Sequence, residues 1–207
     1  YRLATALGAM ALIGSGLLLG PEPAAAAPGD IATVVPVPRT DPTITDIVVG
    51  PDGNLWTTNS FDRSISAIAP NGALIGTYPL PGSPTAVTAG ADGLWVSYRD
   101  LSRITRVSTS GTVTLECRTA FSGIGDIAVG PDGLYYSDIV AGNLGRTVIR
   151  SGSAFGCDES LISTSGLIAN RITAGPSGVN RLYVQYFGNF YASLTPPSRL
   201  RNQIVPS

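Results

Sequence analysis

Six side chains at matched points of a repeat carry most of the chemistry that this 207-residue chain offers. Four residues before the recurring glycines Gly50, Gly90, Gly130 and Gly175 stand Asp46, Ala86, Asp126 and Arg171. Three residues after the recurring aromatics Trp56, Trp95, Tyr135 and Tyr183 stand Asn59, Tyr98, Asp138 and Tyr186. Three carboxylates gathered round one axis, those of Asp46, Asp126 and Asp138, could hold a hard divalent cation, magnesium or calcium, through oxygen ligands. Asn59, Tyr98 and Arg171 add hydrogen-bonding and cationic groups suited to a small-molecule or protein ligand. Drift on a solvated rim gives the same mixture of residue types, and aspartates at such points also cap turns. Both readings stand at this level.

Other chemistries are excluded by what is missing. The chain has no His, so no imidazole can serve as a base near neutrality or activate one of the many serines. Two Cys without His do not make an ordinary tetrahedral zinc site. No phosphate-cradling glycine loop leads into a helix. A net charge of -1 without basic runs leaves no electrostatic footprint for nucleic acid or anionic lipid.

The elements that must position these residues follow from the repeat. "GPDGNLW" at Gly50 returns as "GADGLW" at Gly90, as "GPDGLYY" at Gly130 and, blurred, as "GPSGVNRLYV" at Gly175, with spacings of 40, 40 and 45 residues. A fixed period of that size signals a repeat architecture. Each unit has a β-branched run, an Asp-Gly turn, an aromatic strand, a third run and, after a further turn, a fourth. Asp-Gly between apolar runs is a strong hairpin signal, and no segment after residue 30 keeps a helical period. Many runs are apolar at consecutive positions, as in sheets covered on both faces. Four-stranded sheets repeated in this way predict an all-β fold, a β-propeller with blades over about 44–83, 84–123, 124–165 and 166–207. The turn aspartates Asp52, Asp92 and Asp132 are expected to shape hairpins, and the in-phase aromatics to pack between blades.

The N-terminus is a separate object. "LATALGAMALIGSGLLL" from Leu3, followed by "GPEPAAAAPGD", reads as a secretory signal peptide over 1–26, and its run is short and glycine-rich for a membrane span. The chain opens on Tyr1, so its true start is expected to lie upstream. Secretion would place the protein outside the cell, with no membrane attachment after cleavage. Segment 27–43 contains "IATVVPVP" at 31–38, which resembles the fourth-strand sequence "LIGTYPLP" at 74–81 but has no first three strands before it.

The strings "GPDGNLW", "RITRVSTSGTVT" and "YPLPGSPTAVTAG" resemble the streptogramin B lyase group, the virginiamycin B lyase-like propellers, fold-related to NHL-repeat and gluconolactonase-type propellers. The likeness covers 31 to about 150 well and 165–207 loosely. It implies that 31–38 closes the ring as an outermost strand. It also implies a ring of about seven blades, of which about three are absent, so that the chain is a fragment. The resemblance further implies elimination on a cyclic depsipeptide, with a His base and acidic residues acting through magnesium on later blades. Here no His exists, and the family's recurrent Glu after "LWFT" is replaced by Asn59, Tyr98, Asp138 and Tyr186. The expected function is therefore a secreted binding or interaction module with no catalytic residue assigned. The alternative is a lyase or lactonase acting on a cyclic ester, with its catalytic blades outside this chain.

Cys117 lies 27 residues after Gly90, and Cys157 lies 27 after Gly130. Equal counts place both at one site on the outermost strands of neighbouring blades, roughly 15–20 Å apart given strands about 4.8 Å apart. A bridge needs Cα atoms within about 7 Å, so the expectation is that the two are not joined.

Overall fold

The computed structural model describes residues 43–120, 123–130, 132–149, 157–162, 168–175, 181–187, 190–194 and 204–206. The molecule divides into Tyr1–Val34 and Val35–Ser207, and every described residue belongs to the second unit. The expected signal peptide and the 31–38 strand lie outside the described residues.

Each repeat folds into one antiparallel sheet whose strands neighbour one another in chain order. The first holds β1 (Ile44–Val49), β2 (Leu55–Asn59), β3 (Ser64–Ile68) and β4 (Leu74–Pro79). The second holds β5 (Pro84–Gly90), β6 (Gly93–Tyr98), β7 (Arg103–Val107) and β8 (Val113–Arg118). The third holds β9 (Ile124–Gly130), β10 (Gly133–Asp138), β11 (Leu144–Ile149) and β12 (Cys157–Ile162). The fourth holds β13 (Ala169–Ala174), β14 (Leu182–Tyr186), β15 (Phe190–Leu194) and β16 (Ile204–Pro206). The first strands stack in sequence, β1 on β5, β5 on β9 and β9 on β13. This is an all-β arc of propeller blades.

The turns explain the glycine spacing. In the second blade Gly90 pairs with Gly93, which leaves a two-residue turn, and in the third Gly130 pairs with Gly133; in both the second glycine lies inside the strand. Gly93 has φ +150° and Gly133 φ +154°, and a Cβ on either would meet a neighbouring-strand carbonyl oxygen, that of Val107 at 2.5 Å or of Thr147 at 2.7 Å. The Asp-Gly pair is thus read correctly as a hairpin signal, but here the glycine serves close strand approach.

The core consists of one apolar cluster per blade interface. Trp56 and Ile65 meet Val87 and Leu94 between the first two blades. Trp95 and Ile104 meet Ile127 and Leu134 at the next interface. Tyr135 and Leu144 meet Ile172 and Leu182 at the third. Trp56, Trp95 and Tyr135 therefore pack between blades as expected, whereas the fourth in-phase aromatic, Tyr183, is 37% exposed and belongs to none of these clusters. Burial distinguishes the second strand of the fourth blade from those of the first three. β6 is buried at every position, whereas β14 alternates, with Leu182, Val184 and Tyr186 buried and Tyr183 and Gln185 exposed. On β1, Ile44, Ile47 and Val49 are exposed as well. The second strands of the first three blades are thus covered on both faces, and β14 is covered on one.

The expectation for the cysteines is overturned. Cys117 and Cys157 form a disulfide, with Cα atoms 5.5 Å apart. Both do lie on fourth strands, but not at equivalent heights. Cys117 pairs with Ile104 on β7. The matching position on β11 is Leu144, and its partner is Ile162, five residues beyond Cys157. β11 runs to Ile149, two repeat positions past the end of β7 at Val107, and its connection to β12 has seven residues against five in the second blade, so β12 is displaced along its neighbour. Five residues of slide is roughly 17 Å of strand. Equal counts from the glycines concealed that displacement, which carries Cys157 to the buried Cys117.

Candidate functional site

A bulge interrupts the first strand of every blade and decides which way its side chains point. The register shifts around Thr45, Thr85, Gly125 and Asn170, one residue before Asp46, Ala86, Asp126 and Arg171. Such an extra residue re-aims its neighbours. Thr45 uses its bulged position to donate to the Pro84 carbonyl at 3.2 Å, and Thr85 donates to that of Ile124 at 2.7 Å. Each hydroxyl is also 2.9 Å from a second-strand hydroxyl, that of Thr58 or Ser97. In the third blade Gly125 has no hydroxyl, and Ser137 instead donates to the Asn170 carbonyl at 3.4 Å.

The aspartates beside the bulge reach across the same interfaces. Asp46 accepts from its neighbour's amide, Ile47 N, at 2.9 Å, and with its other oxygen from Val87 N of the next blade, also at 2.9 Å. Asp126 repeats this with Ile127 N and, across the interface, Ile172 N, both at 2.9 Å. Asp126 is 8% exposed. Burial pushes its carboxyl above the usual aspartate value, and the nearby Asp46 charge adds to that. The amides of Ile172 and Ile127 and the Arg171 guanidinium pull it back.

Asp126 and Arg171 line one cleft of about 440 Å³ together with Ile172, Thr173, Tyr183 and Gln185. A buried carboxyl from the third blade thus meets an exposed cation from the fourth over apolar and amide walls. Asp46 lies close enough to influence Asp126 but does not line the cleft.

Asn59, Tyr98 and Asp138 sit elsewhere, each fully buried. Asn59 caps the β2–β3 turn, accepting from Asp62 N and donating to its carboxylate, both at 3.0 Å. The Tyr98 hydroxyl lies 2.5 Å from that of Thr105, and burial pushes the phenol up. Asp138 accepts from Val140 N at 2.8 Å and Ala141 N at 3.0 Å through one oxygen, while the other oxygen is buried with no hydrogen-bond partner. Tyr186 is buried too.

The three carboxylates weighed as cation ligands are not brought together. Among the described residues no group of three or more His, Cys, Asp or Glu is placed to hold a metal ion. The donor set that magnesium or calcium requires is not assembled by Asp46, Asp126 and Asp138, two of which are committed to amides across interfaces and one to a turn.

At the opposite ends of the strands the turn aspartates do more than shape hairpins. Asp52 accepts from Trp56 Nε1 at 3.0 Å, and Asp132 from the Tyr135 hydroxyl at 2.8 Å. Arg146 pairs with Asp132 at 2.7 Å, and Arg106 sits over the Trp95 ring 6.0 Å from its centre. Sequence reasoning missed the bulge threonines and the cleft residues Thr173, Tyr183 and Gln185. Thr45 and Thr85, one period apart, were a readable signal for the first group. The second lies on a face that only the fold defines.

The sequence profile of the virginiamycin B lyase family matches residues 26–200. The chain belongs to that family. Among solved structures, virginiamycin B lyase from Staphylococcus aureus matches at TM-score 0.69 and 28% identity, covering 84% of this chain and 58% of that one. A catalytically inactive histidine-to-alanine variant of the S. aureus enzyme, with quinupristin, matches at TM-score 0.68 and 28% identity, covering 82% and 57%. A putative 6-phosphogluconolactonase from Bacteroides uniformis shares the fold at TM-score 0.63 and 14% identity, covering 80% and 57%. A search of curated protein sequences finds no match. The chain therefore spans a little under three fifths of the length of its lyase relatives.

Proposed function

We propose that this virginiamycin B lyase family chain is a binding module, exported from the cell, that takes a small molecule at the inner ends of its third and fourth blades. The observation that carries this reading is the cleft in which buried Asp126 and exposed Arg171 face one space from different blades. A cation beside a partly apolar wall suits an organic ligand with a carbonyl-rich or anionic edge. The Cys117–Cys157 bond supports export, since disulfides persist in oxidising compartments. Calorimetry of the 207-residue chain with quinupristin, the compound held by one relative, tests the binding reading. Saturable heat that is lost in Arg171→Ala supports it, and no heat at millimolar ligand overturns it.

Family membership favours a second reading, in which the chain is part of a lyase or lactonase that opens a cyclic ester. A relative whose histidine is replaced by alanine is described as catalytically inactive, and this chain has no His. Any base among the described residues would have to be a carboxylate with a raised pKa, and Asp126 has the direction required. Its two oxygens are already held by two amides, which argues against proton transfer there. Chromatography after prolonged incubation separates the readings. Elimination yields a ring-opened product of unchanged mass and altered retention, and hydrolysis one heavier by one water; the module reading expects intact ligand.

A further inference from the structure

We propose that the Cys117–Cys157 disulfide is a reductant-addressable strap, whose opening releases the outer strand of the third blade while the inner strands stay in place. The two sulfur atoms differ in access. Cys117 is fully buried within the second interface cluster, whereas Cys157 is half-buried at the first position of β12. An external dithiol therefore reaches Cys157 first.

The exchange balances as an ordinary two-electron step. A thiolate of the dithiol attacks Sγ of Cys157, a mixed disulfide forms there, and the Cys117–Cys157 bond breaks. Cys117 leaves as a thiolate and takes up a proton. The second thiol of the reductant then attacks its own sulfur in the mixed disulfide, freeing Cys157 and departing as a cyclic disulfide. The protein gains two electrons and two protons, and the dithiol loses them.

The remaining attachments of β12 make the consequence local. It is the outermost strand of its sheet, and its backbone ladder runs to β11. Among the described residues, Cys157 and Ile162 are the members of β12 that pack against apolar clusters, both from their edges. Its side-chain ties include the bridge and Glu159, which accepts from Ala120 N of the second blade at 2.9 Å and from the Tyr136 hydroxyl on β10 of its own sheet. β9 and β10, by contrast, carry Ile124, Ile127, Leu134 and Tyr136 in the buried core. Opening the strap removes a covalent tie from a strand with little packing of its own, the kind of segment that opens below the global unfolding limit.

Amide hydrogen exchange read by mass spectrometry on the full chain, oxidised and after treatment with dithiothreitol, tests this. Reduction is expected to speed exchange in 157–162 at least tenfold more than it speeds exchange in 133–138. Cys157→Ser under oxidising conditions should reproduce that pattern, and if this variant fails to fold, the reductant arm on the unaltered chain still decides. Equal exchange in both states would overturn the proposal. So would uniform acceleration across all blades, or alkylation of two thiols per chain before any reductant is added.

Discussion

The Asp126 carboxylate of the third blade accepts a hydrogen bond from Ile172 N of the fourth at 2.9 Å, and Asp46 makes the same reach to Val87 N between the first and second. Between the second and third blades Ala86 stands in that place and has no carboxylate to offer. Thr85, donating to the Ile124 carbonyl, ties that interface instead. The stack is thus held by apolar clusters whose polar backbone edges are satisfied by a changing set of side chains.

Asp126→Ala leaves the Ile172 amide without its acceptor at a buried interface. The expected loss is about 1–3 kcal/mol, the penalty of an unsatisfied buried donor. Urea unfolding followed by tryptophan fluorescence measures it.

The pH dependence at Asp126 has a definite sign. Its folded pKa lies above the unfolded value, with burial the leading cause. Stability from this shift is therefore fully present below the ordinary aspartate pKa and is lost as pH rises through the raised folded value. In that window the unaltered chain should lose stability with rising pH relative to Asp126→Asn. A flat difference between the two urea midpoints across pH 3 to 7 would refute the shift.

Thr85→Val removes the hydroxyl that bonds the Ile124 carbonyl at 2.7 Å and should cost about 1 kcal/mol. Restoring the repeat's threonine in the third blade, Gly125→Thr, should destabilise rather than help. A Cβ at Gly125 would come within 2.3 Å of Ile139 Cγ2, so the expected loss is about 1–3 kcal/mol. Thermal melting of both variants checks the pair.

Opening the disulfide frees a 40-residue separation between its ends, for which chain entropy gives about 4 kcal/mol of lost stability. Differential scanning calorimetry with and without dithiothreitol should show the fall in Tm.

The fold was legible because its information is local and repeated: four Asp-Gly-type turns, β-branched runs and in-phase aromatics each report on one hairpin or one interface. The disulfide was not legible, because it depends on how far β12 slides along β11, and the 27-residue count from each glycine is blind to the length of the 150–156 connection. The site was legible in part. Asp126 and Arg171 occupy one phase of the repeat and share a cleft. Asn59 and Asp138 occupy another phase, but turns consume them, since an Asn or Asp at a strand exit finds backbone amides within reach before any ligand.

The central claim is that ligand binding occurs where Asp126 and Arg171 meet. Two-dimensional amide NMR of the full chain titrated with quinupristin tests it most directly. The account predicts shift changes concentrated at Arg171, Ile172, Thr173, Tyr183 and Gln185, with affinity weakened about tenfold in Arg171→Ala, the equivalent of about 1.4 kcal/mol. Shifts clustered at the Asp52, Asp92 and Asp132 turns, or an Arg171→Ala titration identical to that of the unaltered chain, would contradict it.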